Sequence, residues 1–79
     1  MADMAELGTE ATTIEIRVNG AAQRVAAGTT LERLVAGLGR EPRAVAVERN
    51  GEIAPRAEWG AIELAAGDRL EIVQFVQGG

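Results

Sequence analysis

Residues 13–18, TIEIRV, alternate: Ile14, Ile16 and Val18 fall on one side, Glu15 and Arg17 on the other. A period of two marks a strand with one buried face. Asn19-Gly20 follows, and both residue types tolerate the positive φ of a tight hairpin turn. The return strand covers roughly residues 21–25. A strict two-residue turn sets Gln23 on the buried face opposite Ile16; a bulge or a longer loop would relieve that. From residue 28 the period changes. In GTTLERLVAGLG (28–39), Leu31, Leu34, Val35 and Leu38 recur at i, i+3, i+4 and i+7, which predicts a helix with one apolar face. Thr29 and Glu32 have capping-box spacing. Gly37 and Gly39 favour termination, with Gly39 as the left-handed cap.

After a loop containing Pro42, residues 44–49 (AVAVER) read as a third strand whose small and β-branched residues suit cover on both faces. Asn50-Gly51 signals a second hairpin into residues 52–54, which Pro55 ends. Residues 56–59 predict one helical turn with Trp59 packed beneath the loop, 61–64 a short extended piece, Gly67-Asp68 a turn, and 69–76 the last strand. The order is β-β-α-β-β-β. The helix has one apolar face and must lie across one face of a mixed sheet of four to five strands. The long connection through it lets the first and last strands be parallel neighbours. An α+β chain of this design is the β-grasp arrangement. The predicted domain spans 13–76, between an acidic, flexible extension at 1–12 and a flexible Gly-Gly tail at 77–79.

The last strand holds a conflict of parity. Leu70 and Ile72 alternate with Arg69 and Glu71 and should face the core. The run then continues Val73-Gln74-Phe75-Val76, which puts Val73 and Phe75 on the side of Glu71. Either a bulge shifts the register, or the strand shows an apolar patch beside the tail, or it is a central strand covered on both sides. A patch would be a docking surface for a partner.

Composition narrows the chemistry. The 79 residues include no Cys, His, Ser, Lys or Tyr, and all eight basic residues are Arg. Side-chain nucleophiles and a near-neutral proton donor are therefore largely missing. Zinc and copper sites lack their usual ligands, and no metal site is expected. The net charge of −4 sits mostly on residues 1–12, with three acidic groups and no basic one; residues 13–79 carry nine acidic and eight basic groups. No basic stripe is present to meet nucleic-acid phosphates, and no apolar run approaches the ~20 residues that span a bilayer. The beginning of the chain lacks the pattern of a signal peptide, and Met4 is an alternative start; a cytoplasmic location is expected.

The C-terminus itself offers a reactive group. Gly78-Gly79 is thin and could thread a narrow channel, and it carries an unhindered α-carboxylate able to accept a phosphoryl or adenylyl group. Read from the residues alone, the same ending could be a frayed terminus with two incidental glycines.

Four stretches resemble one family: IEIRVNG, GTTLERLVAGL, VAVERNGEIAPRAEW and GDRLEIVQFVQGG. Over residues 13–79 the chain is similar to the ThiS sulfur carriers of thiamine biosynthesis, in the ubiquitin-like β-grasp group with MoaD. The resemblance implies a protein cosubstrate, not an enzyme. A ThiF-like adenylating enzyme would activate the Gly79 carboxylate, with ATP and magnesium belonging to that partner and no cofactor residing in this chain. Sulfur from a persulfide donor would give a Gly79 thiocarboxylate, and the loaded carrier would dock on thiazole synthase (ThiG). Gly78 and Gln77 would thread the partners' active sites, and Val73, Phe75 and Val76 would contact partners. Neither nucleic acid nor membrane is among the expected partners.

Other readings use the same ending. A MoaD-like carrier for molybdopterin usually shows a proline before the tail, and here the approach is Gln74-Phe75-Val76-Gln77. Carriers for cysteine synthesis or tRNA thiolation remain alternatives, as do a ubiquitin-like protein modifier and a plain interaction module. Thr29 reads as a cap with no base to activate it, Trp59 as a packed residue, and the alternating Glu and Arg residues as a solvated face.

Overall fold

The computed structural model describes residues 12–75. Residues 1–11 of the expected extension at 1–12, the last domain residue Val76, and the expected tail at Gln77, Gly78 and Gly79 lie outside the described residues.

The first hairpin pairs β1 (Thr13–Val18) with β2 (Ala21–Ala26) in a strict register, Val18 against Ala21 and Ile16 against Gln23. Asn19 and Gly20 have φ of 52° and 88°, the left-handed pair that a two-residue turn needs. No bulge or longer loop intervenes. Gln23 stays half-buried on the edge strand opposite Ile16, a position from which a long amide side chain can reach water.

The helix α1 (Leu31–Gly37) is shorter than its apolar period suggested. Its N-cap is Thr30, whose Oγ1 accepts the Arg33 N–H at 3.2 Å. The expected Thr29–Glu32 box does not form. Thr29 is held outside the helix: its carbonyl accepts the Leu64 N–H at 2.9 Å, and its hydroxyl donates to the Ala26 carbonyl at 2.6 Å. Leu31 N–H likewise goes to the Ile62 carbonyl at 2.9 Å. The expected extended piece at 61–64 thus pins residues 29–31 and moves the helix start by one residue. At the other end Gly39, at φ 75°, is the left-handed cap. Its N–H reaches Ala36 and that of Arg40 reaches Val35, which satisfies two free carbonyls of the last turn.

A 3-10 turn (Pro42–Ala44) leads into β3 (Val45–Arg49), and Asn50-Gly51 turns it into β4 (Glu52–Ile53). A second 3-10 segment (Arg56–Ala61) brings Trp59 under the loop, 3% exposed, with Nε1 donating to the Ala54 carbonyl at 2.8 Å. The last strand, β5 (Arg69–Gln74), is central: the five-stranded sheet runs β2-β1-β5-β3-β4, with β5 parallel to β1 and antiparallel to β3. This is the β-grasp arrangement.

The helix covers one face only. Ile16, Leu70, Val45 and Val47 from the strands meet Leu31 and Val35 from α1, each at most 2% exposed. Burial of each such side chain contributes about 1.5–3 kcal/mol relative to exposure. β3 was expected to suit cover on both faces. Its Val45 and Val47 are buried and Ala46 only half-buried, because among the described residues no element lies over the second face.

Candidate functional site

The parity conflict in β5 resolves into a patch. The β3–β5 ladder runs without a bulge from Arg49 against Leu70 to Val45 against Gln74. Leu70 and Ile72 are 1% and 7% exposed, whereas Val73 and Phe75 are 58% and 49% exposed on the helix-free face. The reading of a strand covered on both sides is therefore corrected: the second side is open. Val73 stands opposite Ala46. Ile53 joins the same face, 65% exposed, because the two-residue turn sets it opposite Glu48. Sequence reasoning missed Ile53, although counting across that turn assigns it to the outer side. Phe75, Ile53, Pro55, Arg56 and Ala46 help to line a shallow hollow of about 150 Å³.

This patch sits where the chain leaves the sheet. The Phe75 N–H donates to the Ala44 carbonyl at 2.7 Å, the last backbone bond of the ladder among the described residues. Arginines surround that point. Arg40 donates to the Gln74 side chain, Arg56 Nε donates to the Pro42 carbonyl at 3.1 Å, and Arg43 lies in the turn between them. The expected contacts Val73 and Phe75 are thus brought together. Val76 and the threading and reactive positions Gln77, Gly78 and Gly79 lie outside the described residues.

The other end of β5 is clamped by side chains that the sequence reading did not single out. Asn19 Oδ1 accepts the Ile72 N–H at 2.7 Å, and Asn50 Oδ1 accepts the Arg69 N–H at 2.9 Å. The two turn asparagines thereby grip the central strand from both sides. Asp68, 5% exposed, accepts from Arg49 Nε at 3.0 Å, Asn50 Nδ2 at 3.1 Å and the Ala65 N–H at 2.9 Å. Burial alone would raise its carboxyl, but the Ala65 N–H, the Asn50 amide and the Arg49 guanidinium together hold it below its ordinary value. Arg49 is thus an exception to the solvated face of alternating charges. The network organises a turn. A broad open hollow beside it, about 550 Å³, is lined by Glu48, Asn50, Gly51, Gly67, Arg69 and Glu71. Among the described residues no group of His, Cys, Asp and Glu could hold a metal ion, and no helix is long and apolar enough to cross a membrane.

Known proteins of this shape include a crystal structure of the thiamine biosynthesis protein ThiS from Geobacter metallireducens. The TM-score is 0.73 at 30% identity, over 84% of this chain and 100% of that one. A solution structure of a thiamine biosynthesis protein from the same organism gives 0.67 at 29% identity, over 84% and 88% of the two chains. In sequence, the chain is 46% identical over 66 residues to a thiazole synthase of Magnetococcus marinus and 41% identical over 66 residues to one of Paramagnetospirillum magneticum. These alignments cover 84% of this chain, which spans 20% of the length of each relative. Residues 16–79 match the ThiS family, from the core of β1 through the final glycine. This chain belongs to the ThiS family.

Proposed function

We propose that the chain is a sulfur carrier whose working group is the Gly79 carboxylate. The observation that carries this reading is the family match, which extends through Gly78-Gly79 to the end of the chain. Its body supports the same reading: the central strand β5 delivers the chain to one end of the sheet, beside an uncovered apolar patch.

In the first step a carboxylate oxygen of Gly79 attacks the α-phosphorus of ATP on a ThiF-like enzyme, and pyrophosphate leaves. The acyl-adenylate is activated because AMP is a far better leaving group than oxide. A persulfide sulfur on a donor protein then attacks the acyl carbon and expels AMP. Reduction of the resulting acyl disulfide by a thiol, with two electrons, leaves Gly79 as a thiocarboxylate. The carrier contributes reach and smallness: glycines present no Cβ to a narrow channel. Val73 and Phe75, with Val76 beyond them, provide the apolar centre of the docking face, and Gln77 and Gly78 pass into the partner.

Thiazole synthase is the proposed acceptor. In two relatives a stretch similar to this chain is part of a protein called thiazole synthase, which supports pairing the carrier with that enzyme. The test is intact mass after incubation with a ThiF-like enzyme, ATP and a sulfur source. One oxygen at the C-terminus should be replaced by sulfur, and the product should pass that sulfur to thiazole synthase. Sulfur loading that survives deletion of Gly79 would sink the reading.

A further inference from the structure

The net charge of −4 hides a local reversal. Three of the eight arginines, Arg40, Arg43 and Arg56, gather at the end of the sheet from which the tail departs. Their bonds are to neutral groups: Arg40 to the Gln74 side chain and Arg56 to the Pro42 carbonyl. Among the described residues the one ion pair, Arg49–Asp68, lies at the opposite end of β5. Between Arg40 and Arg56 the chain carries Glu41, Glu48 and Glu52; among the described residues none of them forms an ion pair with these three arginines, all of which are exposed. The hollow beside Phe75 joins one of them, Arg56, to Ile53 and Phe75 of the apolar patch.

We propose that these arginines form a positive collar that docks against an acidic rim on the adenylating partner, next to the opening that receives the tail. The proposal rests on the sulfur-carrier reading. Its physical ground is orientation. Apolar contact is non-directional, so the Ile53–Val73–Phe75 patch alone would let the carrier rotate on its partner. A thin tail enters a channel from one rotation only. Guanidinium groups beside the patch fix that rotation by pairing with carboxylates in a planar, often bidentate geometry. They also draw a chain that is acidic overall towards an acidic rim by the correct end, which speeds productive encounter.

The test compares the wild-type chain with R43E/R56E, R43K/R56K and R43E alone, binding a ThiF-like enzyme at low and moderate salt. Among the described residues Arg43 makes no side-chain bond, so R43E checks the result without touching the Arg56–Pro42 contact. We expect R43E/R56E to weaken binding by about tenfold or more, with a flattened salt dependence, R43E to weaken it by a smaller factor, and R43K/R56K to stay within about threefold. Binding of R43E/R56E within about twofold of wild type overturns the proposal. So does a raised KM for ATP with carrier affinity unchanged, which would place the arginines on nucleotide phosphate. Self-association that the same substitutions abolish, with enzyme binding intact, would instead make a second copy the occupant. Wild-type binding without adenylation would sink the sulfur-carrier reading while leaving the collar standing. No wild-type binding would sink both.

Discussion

Asp68 shows how one side chain can organise a turn. Its carboxylate gathers Arg49, Asn50 and the Ala65 N–H at a site almost closed to water. Its folded carboxyl lies below its ordinary value, so between the two values the unfolded chain binds more protons than the folded one. The stabilisation is therefore complete above about pH 4 and is lost as pH falls through the folded value. Thermal melts at several pH values should show stability steady near neutrality and falling in acid, with Asp68→Asn flattening that decline. At neutral pH the same substitution should cost about 1–3 kcal/mol, since it weakens charge-assisted bonds in a partly buried network. Trp59 gives a second test at this scale. Trp59→Phe keeps an aromatic ring but removes the bond to the Ala54 carbonyl, and should cost about 1–3 kcal/mol by chemical denaturation.

The elements show where local rules hold and where distant contacts override them. Two threonines stand side by side before α1, and only one can cap it. Bonds from Ile62 and Leu64 hold residues 29–31 in place and hand the cap to Thr30. Thr30→Ala should then cost about 1 kcal/mol. In the sheet, Glu48 and Glu71 stand directly opposite each other on the helix-free face, and neither makes an ion pair among the described residues. Like charges at such positions are destabilising, so Glu71→Gln should raise stability by about 0.2–1 kcal/mol in a denaturant titration. A fall in stability would show that Glu71 is compensated by its neighbours.

For the molecule as a whole, the architecture was legible from periodicity and turn chemistry. Ile14, Ile16 and Val18 marked β1, and the two Asn-Gly dipeptides marked both hairpins. The parity of Leu70, Ile72, Val73 and Phe75 already contained the open patch. What was not legible depended on residues far apart in sequence. The Asp68 network joins positions 49, 50, 65 and 68, and the arginine collar joins 40, 43 and 56 only after β3 and β5 pair. The patch is separable from the fold, and Val73→Thr tests this. It keeps the β-branched shape, so stability should change by about 0.5 kcal/mol or less, while affinity for the adenylating enzyme should fall measurably. The parallel seam between β1 and β5 has a mechanical consequence. The start of β1 and the end of β5 lie at opposite ends of that seam, so tension between the two termini acts along the strands. The backbone bonds Arg17–Asp68 and Asn19–Leu70, with the Asn19 side chain on Ile72, are then loaded together in shear. A pull on the C-terminal end of β5 is thus carried along the central strand without unzipping it from β1.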